Sequence, residues 1–241
     1  AIDKGKQIHD EIIRNGFKLE KDVVLGTAIV DMYAKCGALA RAREVFEKLL
    51  VRNIISWNAL ICGYAQQGQC EEALKSFEQM KSEGLSPDAI TYSCILKACA
   101  SIEALEKGKK IHDELVNRGF LGKDIMLGSA LVDMYANCGL LVNAQNMFDR
   151  LPVRDVVSWT TLIAGYVKHE QLQEALHRFR KMQDEGISPN VITFHCCLKA
   201  CGGVGAFEKG LEIHADIDRR GLLKEDVAVG NALIDMYCKF G

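Results

Sequence analysis

The sequence predicts an all-α fold in which pairs of short helices repeat along the chain. Residues 54–88 hold two amphipathic helix patterns, each with apolar side chains at i, i+3, i+4 and i+7. Gly68 separates the two patterns, and Gly84 and Pro87 end the second. The same pattern returns 102 positions later, at residues 156–190. Because two short helices cannot bury their apolar faces alone, such a unit requires similar neighbours.

Units of three lengths fill the chain in a fixed order. They have 31, 35 and 36 residues and together make a super-period of 102 residues. We expect one continuous repeat domain of about thirteen helices. Trp57 and Trp159 are equivalent in this scheme, so their surroundings should be equivalent. The units are 1–22 (partial, 36-residue type), 23–53, 54–88, 89–124, 125–155, 156–190, 191–226 and 227–241 (partial, 31-residue type).

The composition is that of an ordinary globular protein. Hydrophobic residues make up 49% and charged residues 26% of the 241 residues, and the formal net charge is −2. No run of about 18 apolar residues occurs, so no membrane-spanning helix is expected, and no targeting peptide is visible at Ala1. The chain starts and ends inside repeats, so we expect it to be part of a longer protein. Near its end, Leu233 and Met236 should be exposed or stick to a second copy of the chain.

Ten cysteines raise the question of disulfides or a metal site. No Cys-x-x-Cys pair occurs, which argues against zinc. Cys99 and Cys201 are one super-period apart on apolar helix faces, and Cys36 and Cys138 are a second equivalent pair. We therefore expect buried or half-buried thiols, neither bridged nor metal-bound, as suits a reducing compartment.

Every complete unit ends in aspartate or asparagine. Residues of this kind serve as turn residues or as helix N-caps, and that explanation stays open beside any binding role. The six residues are Asn53, Asp88, Asp124, Asp155, Asn190 and Asp226.

The motifs of the units resemble those of the pentatricopeptide repeat family. SWNALICGY with EEALKSFEQM…SPD is similar to its standard repeat, TYSCILKACASI…GKKIH to its long repeat, and GSALVDMYANCG…AQNMFDRLPVRD to its short repeat. The alternation of lengths resembles the PLS class of plant organellar proteins, and the resemblance covers the whole chain. A different helical-pair repeat has a period of about 34 residues, which does not fit here.

The resemblance implies a right-handed superhelical solenoid whose first helices line a concave face for single-stranded RNA, one base per repeat. In the family, the fifth and last residues of a unit read a base edge, and the second residue packs against the base. The readers would be Thr27 with Asn53, Asn58 with Asp88, Ser93 with Asp124, Ser129 with Asp155, Thr160 with Asn190, His195 with Asp226, and Asn231. The base-packing residues would be Val24, Ile55, Ile90, Met126, Val157, Ile192 and Ala228.

The residue types fit this chemistry. Hydroxyl and amide groups can form hydrogen bonds with a base edge. At the last position, an asparagine side chain both donates and accepts, whereas an aspartate side chain only accepts. The alternative for the fifth residues is N-capping. The family's code implies the core 5′-A-U-n-G-A-n-3′, in which n marks the long repeats. These often depart from the code, and His195 is not a usual reader.

A basic residue near the thirteenth position of a repeat meets phosphate in the family. Lys35, Lys168 and Lys239 occupy that position here, whereas the other units carry uncharged residues. Since the net charge is −2, non-specific attraction to RNA should be modest.

The resemblance implies the recognition module of an organellar C-to-U RNA editing factor, in a mitochondrion or a chloroplast. The alternative is a solenoid that scaffolds editing-complex proteins, among them multiple organellar RNA editing factors through the long repeats. We expect no cofactor, no metal, no membrane partner and no small-molecule substrate. Two His-x-Glu stretches, at His9 and His112, match part of the zinc deaminase signature. No Pro-Cys-x-x-Cys follows, so we expect helix surface there and no enzyme.

Overall fold

The computed structural model describes residues 2–121, 124–224 and 226–240, and these ranges contain helices but no strand. Ala1 and Gly241, the ends of the predicted partial repeats, lie outside the described residues. The helices are α1 (Ile2–Arg14), α2 (Val23–Lys35), α3 (Leu39–Lys48), α4 (Ile54–Gln66), α5 (Cys70–Ser82), α6 (Ala89–Ser101), α7 (Leu105–Asn117), α8 (Ile125–Asn137), α9 (Leu141–Asp149), α10 (Val156–Lys168), α11 (Leu172–Asp184), α12 (Val191–Val204), α13 (Phe207–Arg219), the 3₁₀ turn Leu222–Lys224 and α14 (Val227–Cys238). The described ranges thus hold fourteen α-helices, one more than expected.

The helices form two compact units, of which the first ends at Phe120 and the second begins at Leu121. In the first unit, α2, α4 and α6 pack side by side, and α3, α5 and α7 each pack on the helix before them. In the second unit, α8, α10, α12 and α14 form the row, and α9, α11 and α13 pack behind it. The predicted all-α fold of repeated helix pairs is confirmed. No helix in the described ranges has the length and apolar character needed to cross a membrane.

The first helix of each pair begins at an aspartate or asparagine cap. The side chain of Asn53 accepts a hydrogen bond from the backbone N–H of Ser56, and Asp88, Asp124, Asp155, Asn190 and Asp226 make equivalent bonds at the starts of α6, α8, α10, α12 and α14. The last residue of each complete unit is therefore the N-cap of the next unit. These caps fix the register in which the following first helix starts.

The core repeats with the super-period. Trp57 packs edge-on against Phe46 with ring centroids 4.6 Å apart, and Trp159 packs in the same way against Phe148, also at 4.6 Å. Both tryptophans are almost fully buried. The expectation of equivalent surroundings is confirmed.

The expected exposure of Leu233 and Met236 is wrong. Both side chains are buried, with exposed fractions of 5% and 0%. The reason is that α14 packs on α12: the Met236 side chain occupies the space over Gly210, and the Met236 backbone approaches Gly202 closely because neither glycine has a side chain. Helix α14 is thus covered on its apolar side by the preceding pair.

The expectation of unbridged cysteines is also wrong for one pair. Cys62 on α4 and Cys94 on α6 form a disulfide, with their Cα atoms 5.3 Å apart and 32 positions between them in sequence. The equivalent residues in the second unit are Ala164 and Cys196, so the second copy lacks one partner. Comparison of cysteines one super-period apart could not reveal a bond between neighbouring helices. Cys99 and Cys201 are buried thiols, as expected.

Close packing of the first helices gives a stability prediction. A Cβ at Gly165 would lie 2.6 Å from Ala136 Cβ and 3.3 Å from its Cα, so Gly165→Ala forces α8 and α10 apart. We expect a loss of about 1–3 kcal/mol in the free energy of unfolding, measured in urea. Gly230→Ala is the control, because nothing lies within 4 Å of that position and helix propensity favours alanine. Equal effects of the two changes would contradict the packing argument.

Candidate nucleic-acid interface

An apolar side chain stands exposed near the start of each first helix. Val24 is 82% exposed, Ile55 63% and Val157 59%, and Ile90, Met126, Ile192 and Ala228 are exposed as well. These are the second residues of the repeats. Folding normally buries such side chains, so their regular exposure within each unit is a feature that folding does not account for.

The fifth residues lie deeper, in the second turn of the first helices. Thr27, Asn58, Ser93 and Thr160 are buried, Ser129 is half-buried, and His195 and Asn231 are exposed. Since none of them stands at a helix start, the N-capping explanation for the fifth residues is wrong. The caps are instead the last residues of the repeats.

In the repeat at 54–88, the fifth and last residues contact each other directly. Asn58 Nδ2 donates to both carboxylate oxygens of Asp88 at 3.1 Å, and Thr91 Oγ1 donates to Asn58 Oδ1 at 2.6 Å. Burial raises the pKa of Asp88, but the hydrogen bonds from Thr91 and Asn58 outweigh it and hold this pKa below its ordinary value. The carboxylate is therefore an ionised acceptor beside an oriented amide.

In the repeat at 156–190, one hydroxyl links the corresponding residues. Thr160 Oγ1 lies 2.7 Å from Thr193 Oγ1, and Thr193 Oγ1 is 2.9 Å from Asn190 Oδ1. Thr160 Oγ1 also donates to the carbonyl of Val156 at 2.6 Å. The fifth and last residues thus lie on either side of the same threonine.

Each unit has a groove where these residues meet. In the first unit, a groove of about 480 Å³ is lined by the second residues Val24, Ile55 and Ile90 together with Thr27, Asn53 and Asn58. In the second unit, a groove of about 400 Å³ is lined by Val157, Ile192, Thr160 and Asn190. Apolar walls with a few convergent polar groups are typical of small-ligand sites.

The lysines at the thirteenth positions have protein partners. Lys35 Nζ lies 2.6 Å from Asp31 and Lys239 Nζ 2.7 Å from Asp235, one turn earlier on the same helix. Lys168 Nζ donates to the backbone carbonyl of Asn137 at 3.1 Å. Exposed pairs of this kind contribute only about 0–1 kcal/mol, so a phosphate can compete for these ammonium groups.

Sequence reasoning missed some of the groove residues. Asp31 and Cys62 line the groove of the first unit, and Asp133 lines that of the second. Thr91 and Thr193 hold the fifth residues, although they are ordinary capping-box residues by sequence. The sequence signal that could have identified these two threonines is that they recur one super-period apart.

The histidine of the His-x-Glu stretch at His9 lies on α1 and contacts α2. His9 Nδ1 lies 2.9 Å from the hydroxyl of Tyr33, in an edge-on ring contact between α1 and α2. This histidine packs one helix on the next.

The fold defines a helical-repeat protein, and each of its two units has a groove of this kind. Two family models match the chain: the PPR repeat family model matches residues 52–101 and 154–203, and the PPR repeat model matches residues 27–54 and 90–120. Together they cover more than half of the sequence. The chain belongs to the pentatricopeptide repeat family.

Curated relatives in Arabidopsis thaliana extend this result. A chloroplastic pentatricopeptide repeat-containing protein is 39% identical over 235 residues, 98% of this chain and 29% of its own length. A second chloroplastic relative is 39% identical over 100% of this chain and 45% of its own, and a mitochondrial one is 38% identical over 98% and 23%. The chain thus spans less than half of each of these relatives. The names of these relatives assign them to the chloroplast or the mitochondrion.

The solved structures include the pentatricopeptide repeat protein PPR10 from maize. It matches with a TM-score of 0.67 and 20% sequence identity, over 87% of this chain and 31% of that one. At this identity the likeness shows a shared fold.

Proposed function

We propose that the chain binds single-stranded RNA through its first helices, with one base facing each repeat. The observation that carries the proposal is that exposed apolar second residues lie beside polar fifth residues, of which Thr27, Asn58, Ser93 and Thr160 are buried. An unstacked base needs an apolar surface for its face and hydrogen-bonding groups for its edge, and each groove offers both.

The reading groups are the pairs of fifth and last residues. In the repeat at 54–88, Asp88 adds an ionised acceptor to the amide of Asn58. In the repeat at 156–190, Asn190 and Thr160 offer an amide and a hydroxyl, which discriminate between bases by a different set of donors and acceptors. Lys35, Lys168 and Lys239 meet the phosphates in this arrangement.

The array serves as the recognition module of an organellar C-to-U RNA editing factor. This step is supported by the alternation of 31-, 35- and 36-residue repeats, which resembles the PLS class, and by the organellar relatives. A scaffold for editing-complex proteins is the alternative, and it requires no dependence of RNA binding on the second or fifth residues.

The test removes the apolar contacts to the base without disturbing the core. Ile55→Ser and Val157→Ser should each weaken binding of an RNA oligonucleotide that contains 5′-A-U-n-G-A-n-3′ about tenfold in fluorescence anisotropy, or ~1.4 kcal/mol. Their thermal unfolding should stay near that of the wild type, because both side chains are already exposed.

The matched control is Val142→Ser. Val142 is 74% exposed, but it lies on α9, a second helix away from the grooves. Its change should leave RNA affinity unaltered. Wild-type affinity in both groove variants, or an equal loss in all three, contradicts the proposal.

A further inference from the structure

The third residue of each complete long repeat contacts the fifth residue of the standard repeat before it. Thr91 Oγ1 lies 2.6 Å from Asn58 Oδ1 in the first unit, and Thr193 Oγ1 lies 2.7 Å from Thr160 Oγ1 in the second. The two threonines are one super-period apart, and both are fully buried. The same contact therefore occurs in both copies of the standard repeat.

In the first copy, the contact decides which way the amide of Asn58 faces. Thr91 has one hydroxyl hydrogen and two acceptors in reach, Asn58 Oδ1 at 2.6 Å and Asp88 Oδ1 at 2.9 Å. Asp88 Oδ1 already accepts from the Thr91 N–H at 2.9 Å and from Asn58 Nδ2 at 3.1 Å. The hydroxyl therefore serves Asn58, and a flipped amide would turn its oxygen towards the Asp88 carboxylate.

In the second copy, the same contact fixes the hydroxyl of Thr160. Thr160 Oγ1 donates its hydrogen to the carbonyl of Val156 at 2.6 Å. The single hydroxyl hydrogen of Thr193 has two acceptors in reach, Thr160 Oγ1 at 2.7 Å and Asn190 Oδ1 at 2.9 Å, and Asn190 Oδ1 already accepts from the Thr193 N–H at 2.8 Å. With the Thr160 hydrogen on Val156, a hydrogen bond between the two hydroxyls has Thr193 as its donor. Thr160 is left with one lone pair, and it presents an acceptor to the groove.

The short repeats lack this arrangement. The repeats that follow the short repeats have Ser56 and Ser158 as their third residues, the position that Thr91 and Thr193 occupy in the long repeats. The hydroxyls of these serines donate instead to the backbone carbonyls of Asn53 and Asp155, at 2.9 and 3.0 Å. Within the described residues, the buried hydroxyl of Thr27 makes no hydrogen bond. No hydrogen bond from a described residue therefore orients the fifth residue of this short repeat.

The long repeat at 191–226 lacks it as well. The next repeat begins at Val227, and its third residue is Val229, which is buried and has no hydroxyl. His195, the fifth residue of this repeat, is exposed. In the long repeat at 89–124 the reader Ser93 is buried, but the third residue of the next repeat is Leu127, which has no hydroxyl. Among the described residues, a buried reader bonded by a third-residue hydroxyl thus occurs in the standard repeats alone.

From these contacts we infer that Thr91 and Thr193 are positioning residues that set base discrimination at the two standard repeats. The inference rests on the proposed function, because Asn58 and Thr160 must face bases for their orientation to matter. Thr91 and Thr193 act through these readers and do not themselves touch the base. A hydroxyl that holds the reader lets it offer one pattern of donors and acceptors, so the wrong base leaves a buried group unpaired.

The experiment compares Thr91→Val with Thr91→Ser in the 241-residue chain. Binding is measured to two RNA oligonucleotides that differ only at the base facing Asn58 and Asp88, U in one and C in the other. Valine has the shape of threonine without its hydroxyl, so Thr91→Val should reduce the U-over-C ratio of affinities about tenfold. Thr91→Ser keeps the hydroxyl and should retain the wild-type ratio. Discrimination at the base facing Thr160 and Asn190 should stay unchanged in both.

Ser56→Ala is the matched control for lost capping, because it removes a capping-box hydroxyl that bonds only the backbone of Asn53 and touches no reader side chain. It should lower thermal stability without changing any base ratio. Thr193→Val repeats the test in the second unit, at the base facing Thr160, and gives an answer even if Thr91→Val does not fold.

Four results would overturn the inference. If the threonine-to-valine variants bind all RNAs equally more weakly, the threonines serve only in helix capping. If Thr91→Ser changes the U-over-C ratio as Thr91→Val does, the hydroxyl is irrelevant to discrimination. An unchanged ratio in Thr91→Val and Thr193→Val, with a discriminating wild type, removes this inference and leaves the proposed function intact. A wild type that does not discriminate removes both.

Discussion

Loss of the Cys62–Cys94 disulfide is expected to lower the free energy of unfolding of the first unit by about 3–4 kcal/mol. The bond closes a loop between residues 32 positions apart, and closing such a loop removes entropy from the unfolded chain. Cys62→Ser without reductant and the wild type with reductant should unfold alike in urea. Both should be less stable than the oxidised wild type.

A second disulfide can be introduced at the equivalent position of the second unit, where it should increase stability. Ala164 and Cys196 stand where Cys62 and Cys94 stand in the first unit, so Ala164→Cys supplies the missing partner. Under oxidising conditions this variant should unfold at a higher urea concentration than the wild type, and reductant should abolish the difference. Cys238→Ser is the control, since Cys238 is exposed and forms no disulfide. A wild type whose unfolding does not respond to reductant would contradict the prediction.

The disulfide also lies in the groove of the first unit. Cys62 follows Asn58 by one helical turn, and Cys94 follows Ile90 by one turn. The bond therefore joins the two helices that carry a reader and a base-packing residue. Both cysteines are half-buried, so a small dithiol can reach them, unlike the fully buried Cys197 and Cys201. In the cell, the redox state of this pair will decide whether the spacing of α4 and α6 is covalently fixed.

The repeat pattern was sufficient to predict the local structure. The first helices begin at Val23, Ile54, Ala89, Ile125, Val156, Val191 and Val227, which are the first residues of the predicted units. The physical reason is that each unit contains its own signals: an aspartate or asparagine cap, apolar spacing and a glycine at the helix end. The shared environment of Trp57 and Trp159 follows from the same periodicity.

Contacts between neighbouring repeats were harder to predict. Asn58 meets Thr91 at a separation of 33 positions, and Cys62 meets Cys94 at 32, because these pairs face each other across adjacent first helices. Comparison over 102 positions identifies residues of the same kind and not residues in contact. The burial of Met236 depends in the same way on which side chains are missing from the helices beside it, at Gly202 and Gly210.

Exchange of the readers in the second standard repeat is expected to change its base preference from A to U. The double change Thr160→Asn with Asn190→Asp reproduces in the second unit the set formed by Asn58, Asp88 and Thr91 in the first, since Thr193 already occupies the third position. Two base-edge hydrogen bonds at about 1 kcal/mol each correspond to roughly 30-fold in relative affinity. Aspartate caps a helix as well as asparagine does, so the fold should persist.

The measurement compares RNA oligonucleotides with A or U at the position facing this repeat, together with thermal unfolding of each variant. Thr160→Asn alone is an informative intermediate, because the amide then stands beside Asn190 and lacks the carboxylate that orients Asn58. It should weaken the preference for A without producing the full preference for U. The base facing Thr27 and Asn53 lies outside the exchanged site and should keep its preference. A folded double variant that still prefers A would show that Thr160 and Asn190 do not read the base.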